Sequence, residues 1–234
     1  METQLKAFDI PYERIAAVDG NKLAEHFDLA HITPHGLHIT PSEIGCMLSH
    51  RRAWLRFLQS DADIGLILED DVNLGQGLTE IIASGLPSLE GPSLINCETR
   101  FNRLELMRPS VPLPCARHQL WRIYATVGAG GYMMNKSAAA ILRKELRKAH
   151  PVDHLLFGKM NGRSWHSVKF FQLSPAFVRP NDLLATSSDI EHERACIAEA
   201  QQQFWNSCKP RYALKLLREL LRLTAIDKCP IPFH

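Results

Sequence analysis

The sequence has no C-x-x-C pair among its six cysteines, no long apolar run, no marked excess of either charge and no low-complexity tract. Each absence excludes something. The scattered cysteines (Cys46, Cys97, Cys115, Cys196, Cys208 and Cys229) rule out a zinc knuckle or a dithiol redox motif and read as free thiols in a reducing compartment. The longest stretches without Asp, Glu, Lys or Arg, Leu29–Ser42 and Ile123–Asn135, are too short to span a bilayer. With 27 Lys+Arg against 25 Asp+Glu, the formal net charge of +2 does not suit a chain built to neutralise many phosphates, so nucleic acid is not an expected partner. Met1-Glu2-Thr3-Gln4-Leu5-Lys6 lacks the basic flank and apolar stretch of a secretory signal, and a cytoplasmic location is expected. Gly128-Ala129-Gly130-Gly131-Tyr132 matches neither G-x-G-x-x-G nor a Walker motif, and no G-x-S-x-G elbow occurs. P-loop, Rossmann dinucleotide and serine-hydrolase readings are excluded.

What is present is an ordinary globular composition, 45% hydrophobic and 22% charged over 234 residues, enough for a full core in one domain. Thr40-Pro41-Ser42-Glu43 is a capping box with proline in the first helical position, and Ile44, Met47, Leu48, Trp54, Leu55 and Leu58 continue it as an amphipathic helix to about Gln59. Ile64–Leu68 is a continuous apolar run, the pattern of a strand covered on both faces in a largely parallel sheet. Tyr12–Ala17, Ser93–Cys97, Arg122–Val127, Tyr132–Met134 and Val168–Leu173 are further predicted strands. Lys136–Ala149, Ile190–Trp205 and Arg211–Ala225 are predicted helices. The alternation predicts an α/β domain with a mainly parallel central sheet flanked by helices and a C-terminal helical extension, divided as 1–194 and 195–234. Arg211–Ala225 is basic and amphipathic, which suits either docking on its own domain or peripheral contact with an anionic membrane.

Glu69-Asp70-Asp71 directly follows the apolar run, where an open α/β sheet places its ligand crevice. Three adjacent acids call for a counterion, and a hard cation such as Mn²⁺ or Mg²⁺ takes carboxylate oxygens together with substrate phosphates. Strand-end alternation puts Glu69 and Asp71 on one side and Asp70 on the other; the alternative is a solvated acidic turn. Pro151-Val152-Asp153 offers a carboxylate among apolar neighbours, suited to a general base or to capping a short helix. Gly130 and Gly131 suggest close approach of backbone to a ligand or a neighbouring strand. His26, His31, His35 and His38 lack a cysteine or carboxylate that would complete a zinc site, and no cysteine has an obvious local base.

Taken in order, Gly45-Cys46-Met47-Leu48-Ser49-His50 with Trp54, Ile67-Leu68-Glu69-Asp70-Asp71-Val72, Gly130-Gly131-Tyr132, Pro151-Val152-Asp153 with Leu156-Phe157, and Gln172 with Pro175 resemble glycosyltransferase family 25 from about Leu5 to Arg194. The resemblance implies a GT-A-like fold and an inverting transfer of galactose or glucose from a UDP-sugar to a lipooligosaccharide, lipopolysaccharide core or related glycan. It also implies that Glu69, Asp70 and Asp71 hold Mn²⁺ on the donor diphosphate, with Asp71 as direct ligand, and that Asp153 activates the acceptor hydroxyl. Ser49, His50, Gly130, Gly131 and Gln172 would shape the donor pocket; for Ser49 and His50 the alternative is helix-to-sheet packing. Family members usually begin with a Val-Ile-Ser-Leu strand and an Arg-rich turn, whereas this chain begins near Gln4-Leu5, in the helix after that strand. Two other readings stay open: a sugar-phosphate nucleotidyltransferase, and a degenerate member that binds glycan or a partner without turnover.

Overall fold

The structure, a computed structural model, describes residues 1–26, 39–86, 89–115, 117–123, 125–145, 150–157, 167–181, 190, 193–195, 197–199, 202–203 and 225–234. Helices α1 (Glu2–Ala7) and α2 (Gly20–His26) precede the long helix α3 (Pro41–Gln59). The capping box forms as read. Thr40 Oγ1 accepts from the Glu43 N–H at 3.1 Å, and the Glu43 carboxylate accepts from the Thr40 N–H at 2.8 Å. Gly45 lets the preceding segment lie directly on α3, since a Cβ there would stand 2.5 Å from the Val18 carbonyl oxygen.

The remaining elements in chain order are β1 (Ile64–Leu68), β2 (Val72–Leu74), α4 (Gly77–Ser84), β3 (Ser93–Asn96), β4 (Arg103–Pro112) and β5 (Gln119–Ile123). They continue with β6 (Gly131–Asn135), α5 (Lys136–Glu145), α6 (Val152–Phe157), β7 (Lys169–Ser174), β8 (Val178–Pro180) and β9 (Ala225–Pro230). Seven strands make one sheet in the order β1-β6-β3-β7-β5-β4-β9, and β2 pairs with β8 in a separate antiparallel ribbon. Successive residues point to opposite faces, so Leu94, Met134 and Phe170 join Trp54, Leu142 and Phe157 under α3, α5 and α6. Their neighbours Ile95, Met133 and Phe171 join Leu5, Leu78 and Ile81 on the face of α1 and α4.

The expectation of a mainly parallel, GT-A-like sheet is overturned: the sheet is mixed and mostly antiparallel, with only β3 and β7 parallel. The apolar run of β1 misled: it has the pattern of a strand buried on both faces, yet β1 is only partly covered and Ile64 is 41% exposed. Among the described residues β1 is an edge strand, paired only with β6. The predicted C-terminal helical extension is corrected at 225–230, which form edge strand β9 against β4. Residues 211–224, on which the membrane-contact reading rests, lie outside the described residues, as do His31, His35 and His38. The described residues between 190 and 203 are helical. β4 escapes a sequence pattern because Pro109 and Pro112 interrupt it; the ladder accommodates Pro109 at a register shift between Met107 and Val111 and Pro112 at the strand's last position, opposite Gln119. Tyr12–Ala17 is no strand, for α3 satisfies that segment from its side chains: Ser49 Oγ accepts from the Val18 N–H at 2.8 Å and Arg52 donates to the Ala16 carbonyl at 2.8 Å. Among the described residues no helix is long and apolar enough to cross a membrane.

The topology decides where chemistry can gather. β1 and β3 both pair antiparallel with β6, and β7 is parallel to β3, so the carboxyl ends of β1, β3 and β7 emerge on the edge where β6 begins. Glu69 follows β1, Glu98 follows β3, and Gly130 precedes β6 between them.

Candidate functional site

A directed chain of hydrogen bonds runs from the core to the first acid. Tyr132 is fully buried, and burial raises its phenol pKa well above the usual value, so the hydroxyl keeps its proton. Its oxygen accepts from Trp54 Nε1–H at 2.7 Å, which leaves its own O–H to donate to His50 Nδ1 at 2.8 Å. His50 Nε2 therefore carries the ring proton and donates it to Glu69 Oε1 at 2.9 Å. Residues 46, 50 and 54 stand at successive turns on one face of α3, which is how one helix supplies Cys46, His50 and Trp54 to this row. Cys46 Sγ lies 3.8 Å from Glu69 Oε1. The sequence showed no base for any cysteine; the structure sets Cys46 beside both His50 and Glu69. Burial and the Glu69 and Asp153 charges push the Cys46 thiol far up, so it stands as a neutral donor and not as a nucleophile.

Cys46, His50 and Glu69 each bring one potential ligand atom within 4.8 Å of the others, a cluster able to coordinate a divalent metal once the thiol and His50 Nε2 give up their protons. The acids behave differently from one another. Asp70 is exposed, while Glu69, its side chain 32% exposed, and Asp71 are partly buried, in keeping with the expected alternation. Burial tends to raise the Glu69 pKa, but the His50 hydrogen bond, the Cys46 thiol and the Arg100 charge hold it below the usual glutamate range. Burial and the charge of Glu69 leave Asp71 raised, with Asp70 adding to it.

Glu98 is the site residue that sequence reasoning missed. Its backbone N–H donates to Asn96 Oδ1 at 2.9 Å, and its carbonyl accepts from Gln172 Nε2 at 3.1 Å. The carboxylate, almost wholly buried, accepts from the Gly130 N–H at 2.8 Å and from Arg100 Nε at 2.8 Å. Gly130 in turn accepts the Glu69 N–H at 2.8 Å, so one glycine joins the two acids. A Cβ on Gly130 would meet Val72 Cγ1 at 2.7 Å, Glu98 Oε2 at 3.1 Å and Glu69 Oε2 at 3.7 Å; both carboxylates flank this one point. Gly128, at φ 94°, wraps the other side, where a Cβ would stand 2.4 Å from Glu98 Oε1. Gly131 admits the Val178 side chain, 2.5 Å from where its Cβ would be. Burial raises the Glu98 pKa, and the Arg100 pair only partly offsets it. An acid directly after a buried strand is the pattern that singles out Glu69, and Ser93–Cys97 followed by Glu98 repeats it.

The other expected residues fall into place around this core. Asp153 occupies the first turn of α6, accepts the His154 N–H at 2.8 Å, and lies within electrostatic reach of Cys46, as Glu69 does. Gln172 is fully buried, and its amide braces Glu98 from beneath. Ser49 Oγ accepts from the Val18 N–H, in the segment before α2 and not in the sheet, and donates to the Gly45 carbonyl at 2.7 Å.

Glu69 and Glu98 shift in opposite directions, which gives the pH dependence a sign. A carboxylate with a lowered folded pKa contributes stability above its unfolded value, about 4.3 for glutamate, and loses it as the pH falls through the folded pKa. The raised Glu98 contributes at low pH and loses that contribution as the pH rises through its folded pKa. Glu69→Gln is therefore expected to flatten the loss of urea stability below about pH 4.3. An acid limb as steep as that of the parent chain would show that His50 does not hold the ionised form.

Comparison with known proteins matches this arrangement to a family. The profile described as glycosyltransferase family 25 (LPS biosynthesis protein) matches residues 1–156, the span that holds Cys46, His50, Glu69, Glu98, Gly130 and Asp153. A "Glycosyltransferase 25 family member" of Drosophila pseudoobscura pseudoobscura is 27% identical over 203 residues, covering 80% of this chain and 31% of the fly protein. Procollagen galactosyltransferase 1-B of Xenopus laevis is 27% identical over 126 residues, 52% of this chain and 20% of its own length. The lacto-N-neotetraose biosynthesis glycosyltransferase LgtB of Neisseria meningitidis serogroup A is 26% identical over 208 residues, 80% of this chain and 72% of the bacterial protein. The chain thus spans less than a third of the two animal relatives and most of the bacterial one. By its matched span and its ordered motifs, the chain belongs to glycosyltransferase family 25.

Proposed function

We propose that the chain is a metal-dependent inverting transferase that moves galactose or glucose from a UDP-sugar to a hydroxyl of a lipooligosaccharide, lipopolysaccharide or related glycan. The observation that carries this reading is the position of Glu69 at the end of β1, bonded to His50, beside Cys46, whose thiol also feels the Asp153 charge, and within electrostatic reach of Asp71. The donor set suits a hard cation. Burial, and after it the charge of Glu69, raises Asp71, and Mn²⁺ or Mg²⁺ answers such a set with oxygen coordination. Glu69 and Asp71 would hold the ion, with Asp71 as the direct ligand because Glu69 Oε1 already accepts from His50. When bound, the ion stabilises the charge that develops on the departing diphosphate.

The protein's own groups do the rest. Asp153 takes the proton of the acceptor hydroxyl as it attacks the anomeric carbon, a role worth about 10²–10⁴ in rate. Inversion needs no nucleophile on the enzyme, and the protonated Cys46 thiol accords with a single displacement. Gly130 keeps a side chain out of the space beside Glu69 and Gly131 leaves room for Val178, while His50 from one side and Gln172, through Glu98, from the other keep the donor pocket's acids in place.

A thermal-shift titration with UDP and Mn²⁺ tests the reading. A ligand present at about 100 times its Kd stabilises by about 2.7 kcal/mol, and a rise in Tm of roughly 5–10 °C is expected. No rise at saturating ligand removes the proposal. Release of UDP from UDP-galactose or UDP-glucose supports sugar transfer, whereas pyrophosphate release from UTP with a sugar phosphate identifies a nucleotidyltransferase instead.

A further inference from the structure

A second histidine cluster shares no residue with the row from Trp54 to Glu69. His118, in the turn before β5, is fully buried. Its Nδ1 lies 2.8 Å from the Pro175 carbonyl oxygen, which can only accept, so Nδ1 carries the ring proton and Nε2 of the neutral ring presents a lone pair. That buried Nε2 has no hydrogen-bond partner among the described residues. What it faces is another acceptor, Glu80 Oε2 of α4, at 3.5 Å. Gly77 makes room for the ring, since a Cβ there would stand 2.7 Å from His118 Cε1. The other carboxylate oxygen repeats the arrangement: Glu80 Oε1 lies 3.3 Å from His234 Nε2. Arg117 Nη1 lies 3.3 Å from the same oxygen and also meets His234 Nε2; a guanidinium can only donate, so this imidazole too presents a lone pair. The backbone brings His234 here, its N–H donating to the Ala176 carbonyl at 2.8 Å and its carbonyl accepting the Gly77 N–H at 3.2 Å.

We infer that His118 Nε2, Glu80 and His234 Nε2 form a zinc site that ties α4 and the turn before β5 to the segment after β9. Two acceptors that face each other in a buried place need a positive charge between them. The spacing decides which. At 3.5 Å the His118–Glu80 pair is long for a charge-assisted N–H···O bond of about 2.7–2.9 Å, whereas two metal bonds of about 2.0–2.2 Å meeting at the tetrahedral angle hold nitrogen and oxygen about 3.3–3.5 Å apart. Both histidine–carboxylate separations match the second figure. Two imidazoles on one tetrahedral ion have ring centres about 5 Å apart, so the 6.0 Å between His118 and His234 closes with a shift of under about 1 Å. Arg117, its side chain 56% exposed, is free to turn into solvent as the ion enters. A backbone carbonyl on Nδ1–H is the partner that metal-bound histidines keep, and Pro175 supplies it. Two imidazole nitrogens favour Zn²⁺ over the Mn²⁺ or Mg²⁺ that the oxygens of Glu69 and Asp71 suit. Both nitrogens already present lone pairs, so Zn²⁺ binds here without displacing a ligand proton, in contrast to Cys46 and His50. The site stands independently of the transferase reading.

Titration of the chelator-treated chain with Zn²⁺, in the absence of UDP, tests this on the parent, Glu80→Gln, His234→Ala and Cys46→Ser. The parent chain and Cys46→Ser are expected to bind Zn²⁺ with a rise in Tm, and Glu80→Gln and His234→Ala to bind it about tenfold or more weakly, with far-UV circular dichroism certifying their fold. Co²⁺ gives a second reading on the parent chain itself, which holds whether or not a variant folds: the visible bands of a four-coordinate ion without the near-ultraviolet charge-transfer band of a thiolate ligand. Absence of Zn²⁺ binding by the parent chain, binding undiminished in both Glu80→Gln and His234→Ala, or a thiolate band that disappears with Cys46→Ser overturns the assignment. If UDP with Mn²⁺ gives no thermal shift while Zn²⁺ binding depends on Glu80 and His234, the transferase reading falls and the zinc site stands.

Discussion

Asp153→Asn is expected to leave Mn²⁺-dependent UDP binding unchanged while lowering transfer by about 10²–10⁴-fold, the range a general base supplies. The amide keeps the size of the side chain and an oxygen to accept the His154 N–H, but it cannot take a proton at neutral pH. Asp71→Ala is expected to do the reverse at the binding step: it removes the carboxylate that faces Glu69 without exchanging core groups, so the melting curve without ligand should hold while the UDP–Mn²⁺ shift disappears. Isothermal titration with UDP, run beside a transfer assay, separates the two. Equal loss of UDP binding in both variants would refute the division between a metal-side and an acceptor-side carboxylate.

Tyr132→Phe removes one oxygen and is expected to be among the most destabilising substitutions in the chain. That oxygen serves Trp54 Nε1–H at 2.7 Å and His50 Nδ1 at 2.8 Å, and all three side chains are buried. Each buried group left without a partner costs about 1–3 kcal/mol, so the pair amounts to roughly 2–6 kcal/mol and a fall in Tm of roughly 4–24 °C. Function suffers through a separate route. Without the tyrosine proton on Nδ1, His50 is free to place its own proton there and to stop donating to Glu69. Urea denaturation measures the first effect; a change under about 0.5 kcal/mol would mean that the chain from Trp54 to Glu69 is not the network described.

Parts of this site are legible in the residue order and parts are not, for reasons that can be named. The end of β1 and its three acids could be read because an apolar run of strand length stops abruptly at charge. The start of α3 could be read because a capping box is satisfied within four residues. Glu98 was open to the same logic, yet a lone acid after a strand carries little weight until Gly130 and Arg100 are known to face it. The relay could not be read at all: His50 and Tyr132 lie 82 positions apart, and nothing in either neighbourhood names the other. β4 and β9 escaped for different reasons, the first because prolines break its pattern and the second because its pairing partner lies far upstream.

The residue order by itself determined where α3 and α5 begin and that acids stand at the exit of an apolar strand. These are properties of local backbone geometry and of apolar periodicity, and they hold whatever the neighbours are. Only the tertiary structure decided the direction in which strands pair, and with it that β6 runs back between β1 and β3 and sets Gly130 between Glu69 and Glu98. Parallel and antiparallel ladders satisfy the same backbone groups and bury the same side chains, so the choice between them rests on contacts between segments distant in the chain.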